Sequence, residues 1–510
     1  MKKIAKKLAL LLAVVFTMSM IASCDSKEKA PADDKSNGGA TAAGEKSPDL
    51  DISKEVEMAL YVISDRPAKQ DDVDAAINEI LKEKLNATLK INWIGWAEYA
   101  NKYPLLFSSG EKFDMAYTAT WLNFYQLAKK GAFMALDDLF PEYAPKNYAR
   151  QSATALQQAT VDGKLYAIPT LLATYSAYGP MYRTDILEDT DWDGKMENIA
   201  DYEVYLQYVK DNTKLEPIQI YAQGSELDDM FMLEQGLYEI KGSMTNDFLF
   251  IDPREENPQL FTYYEYDKTM EFLKMMEKWN ENEFFTKSAL SDMDSTKMRN
   301  GKAASRIHNI DSYQGDYILN PDWGIKYANF TTDLSNLPFT QDAFAISNTS
   351  ENPERAIAFY ELLTNDEDLY RTFMYGIEGT SYRIENNQVE SLDQDNYAGS
   401  ALWAARTNEF HLPTIGSPAD LADFKAGFDK KIVQGENTQK FRSFTIDTSS
   451  IETEYAACIN VHQQYWWPLE LAYTDIETGL ADYEAQMKVA GIDKVKEVLQ
   501  AQLDEYVKNL

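Results

Sequence analysis

Three consecutive segments decide the fold class of this chain: VEMALYVIS (56–64), DDVDAAINEILKEKLNA (71–87) and TLKINWIGW (88–96). The first and third are mostly apolar runs, which are typical of strands covered on both faces. The middle segment places Val73 and Ile77 on one helical stripe, and its leading aspartates favour a helix N-terminus. A strand, a helix and a second strand within about 40 residues predict a βαβ unit, and therefore an α/β fold with a parallel or mixed sheet.

The N-terminus has the layout of an export signal. Four lysines lie among the first seven residues and precede LALLLAVVFTMSMIAS (8–23). This apolar run is shorter than the roughly 20 residues of a membrane-spanning helix and ends in small side chains, as a secretory signal does. The stretch IASC (21–24) resembles a bacterial lipobox, so Cys24 is expected to be lipidated after cleavage of residues 1–23. The alternative is an ordinary signal peptide with an incidental cysteine.

Composition limits the classes of partner and chemistry. The chain has 49 basic and 82 acidic residues, a net charge of −33, which disfavours nucleic acid as a partner. Residues 24–54 lack aromatic side chains and are rich in small and charged residues, which predicts a flexible tether. The remaining length and the 45% hydrophobic content predict two lobes, each with its own core. Cys458 has no partner once Cys24 is acylated, so it is expected to be a buried structural thiol.

Enzyme signatures are absent from the sequence. The three histidines, His308, His411 and His462, are far apart, and no zinc motif, Walker A loop, dinucleotide fingerprint or nucleophile elbow is present. Abundant carboxylates alone are no evidence for a glycosidase, whose catalytic pair must flank a cleft. A secreted glycan hydrolase and a purely adhesive lipoprotein are nevertheless kept as alternatives.

A series of segments in a fixed order carries a family resemblance. They are FDMAYTATWLNFYQLAKKGAFMALDDLFPEY (113–143), VDGKLYAIP (161–169), YGPMYRTDIL (178–187), MRNGKAA (298–304), FAISNTSENPERAIAFYELL (344–363), YGIEGTSYRI (375–384) and AGIDKVKEVLQAQLDEY (490–506). Together they resemble the sugar-type (family 1) extracellular solute-binding lipoproteins of bacterial ABC transporters, in a subgroup with a distinctive C-terminal domain.

The resemblance implies a two-lobed α/β clamshell of the type II periplasmic-binding-protein kind, with hinge crossovers. Lobe 1 is expected at 55–167 plus 341–400, and lobe 2 at 168–340 plus 401–510. The implied protein is a monomer, not an enzyme, that is lipid-anchored on the extracytoplasmic face of the cell membrane. It would capture a small solute between its lobes and deliver it to the permease subunits of an ABC importer.

The candidate ligand-binding residues come from the predicted strand ends and later segments, where ligands of such sheets bind. They are Asp65, Arg66, Trp96, Trp121, Tyr178, Arg306, Glu378 and Trp403. Flat aromatic faces stack on the apolar faces of sugar rings, while the charged groups can hydrogen-bond to hydroxyls. An oligosaccharide is therefore favoured, with a peptide or another polar solute as alternatives. Of the candidates, Trp121 is the foremost, because it follows a buried strand and precedes a predicted helix.

One acidic stretch, EDTDWDGKMEN (188–198), echoes the first nine positions of an EF-hand loop. Its candidate ligands are Asp189, Asp191, Asp193, the carbonyl of Lys195, and Glu197. The twelfth position is Ala200, so the usual bidentate glutamate is absent. A structural calcium ion and a solvated acidic turn are both left open, and no cofactor is required.

Overall fold

The computed structural model describes residues 50–510 except 97, 173, 188–191, 193, 221–225, 241–247, 293, 394–395, 398–400, 408 and 434–437. The predicted signal peptide and Cys24 lie outside these ranges. Among the helices that are described, none has the length and apolar character needed to cross a bilayer.

The described strands are short apart from the first two. They are β1 (Val56–Ile63), β2 (Ala87–Ile94), β3 (Met115–Thr118), β4 (Thr160–Val161), β5 (Lys164–Leu165), β6 (Ile168–Pro169), β7 (Tyr178–Tyr182), β8 (Tyr238–Glu239), β9 (Phe250–Ile251), β10 (Ser305–Asn309), β11 (Lys326–Tyr327), β12 (Ala343–Ile346), β13 (Tyr382–Glu385) and β14 (Gln388–Ser391).

The α-helices are distributed along the whole described chain. They are α1 (Gln70–Leu85), α2 (Tyr99–Ser108), α3 (Phe124–Lys129), α4 (Leu139–Tyr143), α5 (Pro145–Arg150), α6 (Ala153–Gln158), α7 (Ile199–Asn212), α8 (Leu227–Glu234), α9 (Thr269–Glu281), α10 (Asp311–Leu319), α11 (Pro353–Asn365), α12 (Glu367–Tyr375), α13 (Leu421–Val433), α14 (Glu452–Val461), α15 (Trp467–Glu470), α16 (Ile476–Ala490) and α17 (Ile492–Lys508).

The largest sheet has the strand order β2-β1-β3-β12-β6. Strand β1 pairs in parallel with β2 and β3, and β12 pairs antiparallel with β3 and β6. This confirms the predicted βαβ unit and the mixed sheet. Between β1 and β2, helix α1 buries Val73, Ile77 and Leu81 against the sheet, as its apolar stripe predicts.

Two large hydrophobic cores form in the described chain. The buried members of the first core fall within 58–168 and 343–405, and those of the second within 182–330 and 441–503. Each core therefore combines two separate stretches of sequence. The first core extends past residue 400, through Leu402 and Ala405. The lobe boundaries given above stay a prediction, since buried clusters alone do not fix where a lobe ends.

The second core contains the helical stripes expected from periodicity. On α9, Phe272, Met276 and Trp279 recur at the spacing of one helical face and are at most 2% exposed, so this stripe belongs to the core. The C-terminal helix α17 buries one face of aliphatic side chains, beginning at Ile492 after Gly491, whose φ of 96° is readily adopted only by glycine. Cys458 is also fully buried here, and burial raises the pKa of its thiol to about 12, so this free cysteine stays protonated.

The chain passes between the two cores more than once. Two of the connections run antiparallel and are hydrogen-bonded to each other: Thr170 N–H donates to the Asp342 carbonyl (2.9 Å), and Ser176 N–H donates to the Ser335 carbonyl (2.9 Å). Another connection follows Ala405, the last buried residue of the first core before the second core resumes at Phe441. Paired connections of this kind are where a hinge between two bodies is built.

Candidate ligand-binding cavity

A cavity of about 1360 Å³ is lined by residues of both cores and of the connections between them. This volume exceeds the roughly 300–1000 Å³ that holds a drug-sized ligand, so a larger solute fits. The structure brings five of the predicted ligand-binding residues to this cavity: Trp96, Trp121, Tyr178, Arg306 and Trp403.

Three half-buried tryptophans form one wall, here called the tryptophan triad: Trp96, Trp121 and Trp403. The ring of Trp96 lies between the other two, with centroids 6.1 Å from Trp121 and 5.8 Å from Trp403 and interplanar angles of 23° and 19°. Tyr99 packs edge-on against both Trp96 and Trp121. The nearly parallel indoles therefore form an extended aromatic surface whose orientation is fixed by the surrounding rings.

The ends of β2 and β3 position the first two members of the triad. Gly95 follows β2, and an added Cβ there would meet Asp65 Oδ1 at 2.7 Å, so a larger residue would displace the Asp65 side chain. After β3 the chain forms a 3₁₀ turn, Thr120–Leu122, in which Trp121 Nε1 donates to the Gln341 carbonyl (3.1 Å). The triad is thereby attached directly to a connection between the cores.

The helix expected directly after Trp121 starts later than the sequence indicates. The 3₁₀ turn ends at Asn123, which has a φ of 60°, and α3 begins only at Phe124. The N–H groups of Leu122 and Phe124 both donate to the Ala119 carbonyl. These two donors are satisfied within the turn and are therefore not free to donate to a ligand.

A buried ion pair lies beside the triad. Arg406 Nη2 donates to Asp342 Oδ2 (2.7 Å), and Tyr117 Oη donates to Asp342 Oδ1 (2.6 Å). Burial raises the pKa of Asp342, while the opposite charge of Arg406 lowers it. Tyr117 in turn packs edge-on against Trp403 (5.6 Å). The ion pair therefore positions Tyr117, and Tyr117 in turn supports the indole of Trp403.

Two arginines line the cavity wall at and near β10. Arg306 on β10 and Arg299 both donate through Nε to the buried Asp316, at 2.7 and 2.6 Å. Arg306 is 8% exposed, and its Nη2 is buried with no acceptor among the described residues. A buried donor without an acceptor is costly, so Arg306 Nη2 is suited to donate a hydrogen bond to a ligand oxygen.

Neutral histidine contributes to the same wall. Burial, and then the charge of Arg306, lower the pKa of His308 to about 3. Its Nδ1 lies 2.9 Å from Ser312 Oγ, and its Nε2 lies 3.9 Å from Glu226 Oε1. Because the ring is neutral near pH 7, the contact with Glu226 is not an ion pair at that pH.

Three predicted ligand-binding residues lie elsewhere. Asp65 and Arg66 line a separate pocket of about 490 Å³, and Arg66 is ion-paired with Asp71 at the start of α1. Glu378 is exposed, in the turn that forms a bridge with Tyr382, and is outside the set of described residues lining the large cavity.

The acidic stretch proposed for calcium is only partly described. Asp189, Asp191 and Asp193 lie outside the described residues, as does Cys24. Lys195 Nζ lies 3.3 Å from Asp201 Oδ1, and Glu197 is exposed with its N–H donating to Asp201 Oδ2. The described residues contain no group of three or more His, Cys, Asp or Glu side chains placed to hold a metal. The calcium hypothesis therefore stays a prediction.

Several cavity residues were not identified from the sequence. The C-terminal segment supplies Phe444, Thr445, Ile446, His462, Trp467 and Glu470. The pair of adjacent tryptophans in YWWP (465–468) was the available signal, since two large aromatics in a row cannot both face one side of a regular helix.

The chain matches two family models. Residues 67–369, more than half of the chain, match the model described as bacterial extracellular solute-binding protein, and residues 440–508 match a domain of unknown function, DUF3502. The chain therefore belongs to the bacterial extracellular solute-binding protein family. This confirms the resemblance and the distinctive C-terminal domain, and it implies an extracytoplasmic location.

Individual relatives agree with the family. A carbohydrate ABC transporter substrate-binding protein from Streptococcus pneumoniae serotype 4 is 24% identical over 470 residues, which is 89% of this chain and 91% of that protein. The crystal structure of the N-glycan transport solute binding protein NgtS from Streptococcus pneumoniae has a TM-score of 0.73 at 22% identity, covering 89% of this chain and 99% of that chain. Its complex with Man5GlcNAc has a TM-score of 0.68 at 22% identity with the same coverage.

A third relative extends the comparison. An extracellular solute-binding protein from Bifidobacterium longum subsp. infantis has a TM-score of 0.62 at 13% identity, covering 89% of this chain and 99% of that chain. These likenesses confirm the predicted two-lobed fold. The family and these relatives are substrate-binding proteins rather than enzymes.

Proposed function

We propose that this protein captures an oligosaccharide in the cavity between its lobes and delivers it, unaltered, to the permease of an ABC importer. The observation that carries the proposal is the tryptophan triad on the cavity wall, because its stacked indoles form an extended aromatic surface on which the apolar faces of sugar rings can pack. The relatives named for carbohydrate and N-glycan transport support this ligand class.

The charge and the volume of the cavity indicate which oligosaccharides it can hold. Among the described residues that line the cavity, nine are carboxylates and three are arginines, so an anionic ligand would be repelled. The charges of the arginines are also paired with carboxylates, since Arg406 pairs with Asp342, and Arg299 and Arg306 share Asp316. The proposed ligand is therefore a neutral oligosaccharide of several units.

The environment of Asp228 supports binding without turnover. Burial, with the nearby charge of Asp229, raises the pKa of Asp228 to about 6, which alone would suit a general acid. However, Oδ2 accepts hydrogen bonds from Tyr263 Oη (2.9 Å) and Trp466 Nε1 (2.8 Å), and Oδ1 accepts from the Asp229 N–H (2.9 Å). With both oxygens engaged by protein donors, this carboxyl is held for structure and is poorly placed to transfer a proton to a glycosidic bond.

The anchor and the transport partner complete the proposal. Lipidation at Cys24 would keep the receptor on the extracytoplasmic face of the membrane, close to the permease, with the chain acting as a monomer. Replacement of Cys24 by serine should release the protein from the membrane fraction into the medium. Retention of this variant in the membrane fraction would contradict the lipid anchor while leaving ligand binding untouched.

Titration with defined glycans tests the ligand class. Man5GlcNAc, maltopentaose, cellopentaose and lacto-N-tetraose, each added to the purified mature protein, form a panel of neutral oligosaccharides. Saturable quenching or enhancement of tryptophan fluorescence by at least one member, with no effect from peptides of similar mass, is the expected result. Saturable binding of a peptide and of none of the panel would contradict the proposal.

A further inference from the structure

The C-terminal domain of unknown function lines the cavity with residues 444–446 and with one helical segment. Helix α14 continues into a π-helical turn, His462–Trp466, and then into α15. Pro468, in the first turn of α15, lacks the N–H that a regular helix would use, which accounts for the irregular hydrogen bonding before it. Such π-turns shift the register of the side chains and are frequent at functional sites.

Two adjacent tryptophans lie where the π-turn meets α15. Trp466 is fully buried, whereas Trp467 is half-buried and lines the cavity. Neighbours in a helix are about 100° apart around the axis, from 3.6 residues per turn, so one indole can be buried while the next faces the cavity. The two indoles thus have different environments, which allows their roles to be tested separately.

Trp466 has a structural role. Its ring stacks on Tyr263 with centroids 4.0 Å apart, and both side chains donate a hydrogen bond to Asp228 Oδ2. Asp228 and Asp229, at the start of α8, line the cavity. Trp466 therefore fixes the C-terminal domain to a helix of the second core that also forms part of the cavity wall.

Trp467 has an aromatic face that the protein does not use for stacking. Within the ranges that the structure describes, no aromatic ring packs against its indole, and the rings of the tryptophan triad are not in contact with it. Its neighbours on the cavity wall, His462 and Glu470, are 3% and 2% exposed and are therefore fixed in position. A half-buried indole held by a rigid wall is a suitable platform for an apolar ligand face.

We propose that the C-terminal domain of unknown function is a ligand-binding element, and that Trp467 is a second aromatic platform for a sugar ring of the bound oligosaccharide. This inference rests on the proposed function. Together, Trp467 and the tryptophan triad contact separate rings of one ligand, which explains a cavity larger than a small solute requires. The domain thereby selects for oligosaccharides long enough to reach both platforms.

The test compares variants in titrations with whichever member of the panel (Man5GlcNAc, maltopentaose, cellopentaose or lacto-N-tetraose) binds the wild-type protein most tightly. Trp467→Leu keeps an apolar side chain but removes the aromatic face, and it should weaken affinity by about tenfold or more. The matched control is Trp323→Ala, because Trp323 is also half-buried but packs on Arg183 outside the cavity lining. If Trp467→Leu weakens affinity by less than about tenfold while Trp121→Ala weakens it strongly, this inference is overturned and the proposed function still stands.

A measurement on the wild-type protein covers the case in which Trp467→Leu does not fold. In hydroxyl-radical footprinting with the same oligosaccharide, bound ligand should protect Trp467 from oxidation and leave Trp323 unprotected. Equal oxidation of Trp467 with and without saturating ligand would overturn the inference. Failure of every panel member to bind the wild-type protein would instead remove the proposed function on which the inference depends.

Discussion

The indole rings of Trp96 and Trp403 stack with their centroids 5.8 Å apart and their planes at 19°. Trp96 follows β2 near the start of the described chain, whereas Trp403 follows the helices that complete the first core. The aromatic surface of the cavity is therefore assembled only when two distant stretches of sequence fold into one core. Ligand binding and the integrity of that core are consequently linked.

Replacement of Trp121 by alanine should reduce ligand affinity by roughly thirtyfold, since it removes one member of the tryptophan triad from the cavity wall. The free energy of unfolding should fall by about 2 kcal/mol, less than for a fully buried tryptophan, because Trp121 is only half-buried. Fluorescence titration and urea denaturation measure the two effects, with Trp323→Ala as the control. Unchanged affinity together with a large loss of stability would mean that Trp121 packs and does not recognise ligand.

Replacement of Asp342 by asparagine should lower the free energy of unfolding by about 2 kcal/mol, because it leaves Arg406 without its countercharge in a largely buried position. The hydrogen bond from Tyr117 can be kept by the amide oxygen, so the effect reports the ion pair. The matched control is Glu351→Gln, which breaks an exposed pair with Lys112 and should have no measurable effect. Equal behaviour of the two variants in urea denaturation would contradict the role of the buried pair.

The stability of the protein should depend on pH through His462. Burial lowers the pKa of His462 to about 3, so below pH 6.5 the unfolded chain binds a proton that the folded chain does not. Folding is therefore penalised as the pH falls, by about 2 kcal/mol at pH 5. His462→Gln removes this titration and can still hydrogen-bond to Tyr483, which lies 2.9 Å from His462 Nδ1.

The loss of unfolding free energy between pH 7 and pH 5 should accordingly be smaller in His462→Gln than in the wild-type protein. Other titrating groups, including Asp228 with its raised pKa, are present in both proteins and cancel in the comparison. Between pH 8 and pH 9 His462 is neutral in both states, and the two proteins should change in parallel. An identical loss between pH 7 and pH 5 would contradict the assignment of His462 as buried and neutral.

Replacement of Trp466 by alanine should cost about 3–5 kcal/mol of stability, as for other fully buried aromatic side chains. The variant loses the stacking on Tyr263 and one of the donors to Asp228. Urea denaturation measures this loss, and Trp467→Leu, one residue further along, is the comparison variant. A loss below about 1 kcal/mol for Trp466→Ala would contradict its role in fixing the C-terminal domain.

Hydrophobic periodicity in the sequence predicted the secondary-structure elements whose burial depends on neighbouring residues. The βαβ unit and the buried stripe of α1 follow from periodicity. Trp96 and Trp121 were placed near the ligand cavity because they follow buried strands of a sheet whose strand ends meet at one edge.

Other features of the candidate site depend on side-chain contacts that the position of a residue in the sequence does not reveal. Arg66 also follows a buried strand, but its ion pair with Asp71 turns it toward the start of α1 and a separate pocket. The delayed start of α3 depends on the hydrogen bond from Trp121 to Gln341, far along the chain. The adjacent tryptophans of YWWP (465–468) were a signal, but the place of Trp467 on the cavity wall depends on the docking of the C-terminal domain.

Native mass spectrometry of the mature wild-type protein, after incubation with an equimolar mixture of the neutral oligosaccharide panel and peptides of similar mass, tests the central claim most directly. The account predicts a complex of one protein with one intact oligosaccharide, and recovery of that oligosaccharide unaltered after prolonged incubation. Recovery of a peptide in the complex, or release of shortened glycans, would contradict capture of an oligosaccharide without turnover.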